Sequence, residues 1–67
     1  MAMTLKAARV NAGLTQKEAA KMLGISANSL CAYERGRFYP TINIVKRMEK
    51  VYNVNYNDLI FFNVDPI

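Results

Sequence analysis

The chain has 67 residues, 52% of them hydrophobic, and nine Lys or Arg against five Asp or Glu give it a formal net charge of +4. That length supports one small domain and excludes a large multi-step active site, since so short a chain buries only about 60% of its unfolded surface. The balance of charged and apolar residues is that of a globular protein, Cys31 has no second cysteine or histidine with which to build a disulfide or a zinc site, and no unbroken apolar run exceeds four residues. A membrane-spanning helix needs about 20 apolar residues, and the first residues show no apolar stretch with a cleavage site. The expectation is a soluble, cytoplasmic protein without metal, cofactor or membrane partner.

In chain order, Thr4 is a candidate N-cap for a first helix that places Leu5, Ala8 and Ala12 on one side, with Lys6 and Arg9 nearer its edges, and that ends at Gly13. Thr15-Gln16-Lys17-Glu18 has the spacing of a capping box, which opens a second helix through Ala19, Ala20 and Leu23 to Gly24. Gly24-Ile25-Ser26 leaves room only for a tight turn, with Ser26 as the next cap, so a third helix runs from 27 to about 35. Gly36 ends it, and Arg37-Phe38-Tyr39-Pro40 reads as a loop because the residue before proline is pushed away from helical geometry. Thr41 caps a fourth helix whose apolar face is Ile42, Val45, Met48 and Tyr52, with Val51 beside them, and Asn53 takes the left-handed conformation that ends it. Asn55 followed by Asp58 resembles a further capped start, so a short fifth helix is expected through Leu59 and Ile60. Leu5, Leu14, Leu23, Ile25, Leu30, Ile42, Val45, Met48, Val51 and Leu59 are the expected core, since a domain this small needs nearly all its large aliphatics inside.

The second and third helices, joined by three residues, have the dimensions of a helix-turn-helix, whose second helix enters the DNA major groove. Leu30 and Tyr33 lie three apart and turn inward, so the outward stripe carries Ala27, Asn28, Cys31, Ala32 and Arg35. Asn28 has the paired amide donor and acceptor that adenine recognition requires, although without the surrounding motif it reads as a solvated polar residue. Charge agrees with a polyanionic partner. Residues 1–37 hold six cations, Lys6, Arg9, Lys17, Lys21, Arg35 and Arg37, against Glu18 and Glu34, while the remainder is balanced, so the whole excess lies there. An enzyme is disfavoured: there is no histidine, no recognisable carboxylate pair and no glycine-rich phosphate loop.

Leu14-Thr15-Gln16-Lys17-Glu18-Ala19-Ala20, then Leu23-Gly24-Ile25-Ser26, Tyr33-Glu34-Arg35-Gly36 and Pro40-Thr41-Ile42 together resemble the Xre-type, lambda-repressor-like helix-turn-helix family of phage and bacterial transcription regulators. The resemblance covers residues 5–60, with the helix-turn-helix at about 15–35 and an apolar tail at 61–67. It implies an all-α, compact five-helix DNA-binding domain over residues 1–67. Residue by residue, it places Ala27, Asn28 and Ala32 against base edges, and Gln16, Lys17, Ser29, Arg35, Arg37, Tyr39 and Thr41 against the DNA backbone. Arg9 and Glu34 match a pair that forms a salt bridge between the first and third helices. Glu49 and Asn53 depart from the family pattern, as do the two alanines and the cysteine of the recognition stripe, which leave little hydrogen-bonding capacity for bases. Ala27 and Ala32 then suit thymine methyls and DNA shape supplies part of the specificity, while Cys31 reads as a small packing residue.

The tail residues Ile60, Phe61, Phe62, Val64 and Ile67 carry more apolar surface than a short terminal helix hides. Either they fold back on the domain or they form a two-fold homodimer through Ile60, Phe61, Phe62 and Val64. The function expected is a sequence-specific regulator of transcription, a repressor that binds double-stranded DNA and no small molecule. The alternative is a protein-interaction module, such as an antitoxin or antirepressor target, that uses the apolar C-terminal end.

Overall fold

The structure, a computed structural model, describes residues 2–61. A short strand β1 (Met3–Thr4) leads into α1 (Leu5–Asn11), followed by α2 (Gln16–Leu23), α3 (Ala27–Glu34), α4 (Ile42–Tyr52), a single 3-10 turn (Tyr56–Asp58) and a short strand β2 (Leu59–Ile60). All four α-helices are capped by the hydroxyl residues at their boundaries. Thr4 accepts from the Ala7 amide at 3.1 Å, Thr15 from Glu18 at 3.1 Å, Ser26 from Ser29 at 3.1 Å and Thr41 from Ile44 at 3.4 Å. At α2 the Glu18 carboxylate also accepts from the Thr15 amide at 2.9 Å, which completes the capping box and holds that carboxyl below its ordinary pKa. Each such cap is worth about 1 kcal/mol.

The core is assembled from one face of every helix. Leu5 and Ala8 from α1, Ala19, Ala20 and Leu23 from α2, Leu30 from α3, Met48 and Tyr52 from α4 and Leu59 from β2 form a buried cluster, with Leu14, Ile25 and Val51 half-buried against it. Val45 is buried as well. Two apolar expectations fail. Ala12 is exposed because α1 ends one residue earlier and leaves it as the C-cap. Ile42 is 63% exposed; the buried face of α4 is set by Val45, Met48 and Tyr52, and at the helical advance of about 100° per residue Ile42 stands roughly a quarter-turn outside it. Ile44 occupies the flank instead, half-buried.

The expected fifth helix is replaced by one 3-10 turn and a strand, so the described residues form four α-helices. The Asn55 side chain makes no capping bond, and the Tyr56 amide is held by the Glu49 carboxylate of α4 at 2.9 Å. Leu59 is then extended, with φ −97° and ψ 134°, and β2 pairs in parallel with β1 in the register Met3 to Leu59 and Thr4 to Ile60. Glu49 therefore anchors the segment after α4, and Asn53 ends that helix in the left-handed region at φ 55°, where asparagine is among the few non-glycine residues found at little cost.

Candidate nucleic-acid interface

The α2–turn–α3 unit is held by three sets of contacts. At the turn, Gly24 takes φ +75°, its amide donates to the Lys21 carbonyl at 3.2 Å, and the Ile25 amide reaches the Ala20 carbonyl at 3.0 Å. This pair of bonds is a Schellman closure, which needs a residue free to adopt positive φ. The remaining carbonyl of Leu23 accepts from Arg47 Nη1 of α4 at 3.0 Å, and a Cβ on Gly24 would lie 2.8 Å from that same nitrogen. Inside the unit, Leu23 and Leu30 are fully buried.

The third set is ionic. Arg9 Nε donates to Glu34 Oε2 at 2.7 Å and Nη2 to Oε1 at 3.3 Å, while Nη1 donates to the Leu14 carbonyl at 2.9 Å. Gln16 Nε2 donates to Glu34 Oε1 at 3.1 Å. One carboxylate at the end of α3 thus ties down α1 and the first residue of α2, and Arg9 in turn holds the loop before α2. Arg9 is only 8% exposed; its guanidinium is directed inward. Tyr52 packs near this pair with its hydroxyl buried and without a hydrogen-bond partner among the described residues. Burial, and secondarily the Glu34 charge, push that phenol up to about 12, with Arg9 opposing.

With Leu30 inward and Tyr33 half-buried, Ala27, Asn28 and Arg35 are exposed and Cys31 and Ala32 half-buried along the opposite side of α3. Asn28, Cys31, Ala32 and Arg35 line one cleft together with Arg37, so the structure brings the adenine-type amide and two cations into one strip. Lys6, Arg9, Gln16, Cys31, Glu34 and Arg35 line a second cleft between α1 and α3. Ser29 and Tyr39 line a third, with Asn28, Ala32, Tyr33 and Phe38. Lys17 and Thr41 are exposed at the starts of α2 and α4. The Tyr39 ring also meets Phe61, with centroids 5.9 Å apart, and Phe61 meets Tyr56 at 5.5 Å. The loop after α3 therefore shares an aromatic contact with the end of β2. Of the proposed dimer residues, Ile60 is 38% exposed and Phe61 half-buried, while Phe62 and Val64 lie outside the described residues.

Sequence reasoning did not single out Arg47, Lys6 or Phe38 for this surface. No spacing links Arg47 to the Leu23 carbonyl, which it reaches only once α4 is packed on α2. Phe38 carried a local signal, an aromatic residue in a cationic loop. Among the described residues no helix is long and apolar enough to cross a membrane, and no group of three or more metal-ligating side chains comes together.

Comparison with known proteins agrees with the motif. The chain is 43% identical over 56 residues to the HTH-type transcriptional regulator ImmR of Bacillus subtilis, covering 84% of this chain and 44% of that protein. It is 31% identical over 61 residues to an uncharacterized HTH-type transcriptional regulator of Methanocaldococcus jannaschii, covering 91% and 92%. The cryptic phage CTXphi transcriptional repressor RstR of Vibrio cholerae is 35% identical over 52 residues, 78% of this chain and 47% of the repressor. The chain thus spans less than half of ImmR and RstR but nearly all of the archaeal relative. No solved structure matches it significantly. The helix-turn-helix family profile matches residues 5–59, from the first residue of α1 to the first of β2, and the chain belongs to that family.

Proposed function

We propose that the protein is a sequence-specific DNA-binding regulator of transcription, a repressor that lays α3 in the major groove and occupies an operator overlapping a promoter, with residues 1–67 acting as one recognition unit. The observation that carries this reading is the division of α3 into two faces. Leu30 and Glu34 fix one to the body of the protein, and the other presents Asn28 and Ala32 in a strip with Arg35 and Arg37. Asn28 offers a bidentate contact to adenine, and Ala27 and Ala32 offer apolar contact to thymine methyls. Gln16, Lys17, Ser29, Arg35, Arg37, Tyr39 and Thr41 frame that strip and serve the phosphates, which position a protein without reading sequence. The names of ImmR and RstR favour regulation, and that of RstR repression. Such a role places the protein in the cytoplasm or on the nucleoid and requires no cofactor.

A two-fold homodimer is part of this reading. The aromatic pair of Tyr56 and Phe61, with Ile60 exposed on β2, supplies apolar surface at the residues proposed for the contact. Two copies would present two α3 helices to half-sites about one DNA turn apart. Mobility shifts on a pool of random duplexes at two salt concentrations test DNA binding: affinity should fall steeply with salt, and no shift at low salt overturns the proposal in favour of a protein-interaction role. Sedimentation of the DNA complex tests the dimer, and one protein per site rejects it.

A further inference from the structure

Phe38 is 66% exposed, beside Tyr39 at 60%. The Gly36 amide donates to the Tyr33 carbonyl at 3.1 Å and the Arg37 amide to the Ala32 carbonyl at 3.0 Å, so the chain folds back onto the last turn of α3 immediately before Phe38. After it, the Tyr39 ring stands against Phe61 and Pro40 is buried. Held from both sides, Phe38 and Tyr39 wall one flank of a cleft whose other flank is α3, with Asn28, Ser29, Ala32 and Tyr33. This cleft is continuous with the strip that faces DNA, because Asn28 and Ala32 belong to both.

We propose that this cleft takes the C5-methyl group of a thymine in the major groove, and that Phe38 is a specificity-determining residue for it. The proposal rests on the DNA-binding reading above. A base-facing stripe of two alanines, a cysteine and one asparagine has few donors and acceptors, so what it reads directly from base edges must come largely through apolar contact. The apolar group that distinguishes one base from another in the major groove is the thymine methyl. Ala32 is too short to enclose it alone. A phenylalanine ring opposite supplies a broad, rigid face with only two side-chain torsions to order, and the cations that flank the strip, Arg35 and Arg37, are placed for the phosphates on either side.

The test uses the duplex selected from a random pool, with each thymine of a half-site replaced in turn by deoxyuridine, which removes the methyl and leaves the hydrogen-bonding edges unchanged. For the unaltered protein one replacement should weaken binding roughly three- to tenfold, the worth of burying about one methyl group. For Phe38→Ala the same replacement should cost less than about twofold, and Phe38→Leu, which keeps an apolar wall, should retain most of the sensitivity. Thermal melting of both variants should match the parent, since the side chain is mostly exposed. If Phe38→Ala weakens all sequences equally and every deoxyuridine cost persists, the ring serves the sugar-phosphate backbone and the inference fails while the DNA reading stands. If parent and variants bind no sequence in the pool, both are overturned.

Discussion

Glu34 is the residue whose loss should cost the fold most for its size. Its side chain is 5% exposed and that of Arg9 10%, and it accepts from Arg9 Nε at 2.7 Å, Arg9 Nη2 at 3.3 Å and Gln16 Nε2 at 3.1 Å. Glu34→Ala would leave the guanidinium enclosed with the Leu14 carbonyl as its remaining partner. Breaking a buried pair from one side costs about 3 to 5 kcal/mol, because one charge stays desolvated and uncompensated. At a typical ~0.05 to 0.15 kcal/mol per residue, a chain of this length has roughly 3 to 10 kcal/mol to lose, so the variant should be partly unfolded at room temperature. Glu34→Gln, which keeps an acceptor, should lose about 1 to 3 kcal/mol. Arg9→Met combined with Glu34→Leu removes both charges and should recover to within about 1 kcal/mol of the parent. Urea unfolding followed by far-ultraviolet circular dichroism measures all three. A Glu34→Ala loss below about 1 kcal/mol, or a double variant that pays the sum of the single losses, would refute the claim that desolvation of an abandoned charge sets the magnitude.

Asn28→Ala should weaken binding to the selected site by about 1 to 3 kcal/mol and relax preference at one position, whereas Arg37→Ala should weaken all sequences alike and reduce the salt slope by about 1; identical effects of the two on random DNA would reject the assigned roles. Cys31, the sole cysteine, is half-buried on the strip proposed to face DNA, so bound duplex should slow its alkylation severalfold, and an unchanged rate would reject the placement of α3 in the groove. Tyr52 gives a pH dependence with a definite sign. Its phenol is raised from 10.0 to about 12 in the folded protein, so the folded state keeps a proton that the unfolded state releases. The associated stability is intact below pH 10 and disappears as pH rises through the folded value. Tyr52→Phe should abolish this alkaline dependence and, since the hydroxyl has no partner among the described residues, leave neutral-pH stability unchanged or up to about 1 kcal/mol higher. The same alkaline loss in both proteins would show that other groups cause it.

What the sequence made legible acts over short stretches. Thr4, Thr15, Ser26 and Thr41 each cap a helix through an amide three residues ahead, so neighbours in the chain contain the whole interaction. The inward turn of Leu30 follows from spacing on a single helix. The misreadings come from partners distant in sequence. Ile42 fits an i, i+3 pattern with Val45, yet the packing direction of α4 is chosen by α2 and leaves that position outside. Residues 59 and 60 satisfy a helical pattern, but β1, at the other end of the chain, offers backbone partners, and an isoleucine followed by phenylalanine accepts extended geometry readily. Arg47 went unremarked for the same reason: its partner, the Leu23 carbonyl that ends α2, is 24 residues away.

The two halves of the site are built for different tasks, and the chemistry of each explains the other. On the inner side, Glu34, Arg9 and Gln16 lock α1, α2 and α3 together, Arg47 holds the end of α2, and Leu23 and Leu30 fill the angle between the two helices. Contacts of this kind hold α3 before it meets a partner, which lowers the ordering cost that reduces the affinity of flexible surfaces. On the outer side the stripe is short of hydrogen-bonding groups. A reader with one amide and several small apolar side chains discriminates weakly if its position varies, because a methyl contact is lost once a gap of an ångström opens. On the proposed docking, rigidity on the inner side is therefore what would allow a sparse outer side to read bases at all, and the cations around it would supply the affinity that so few base contacts do not.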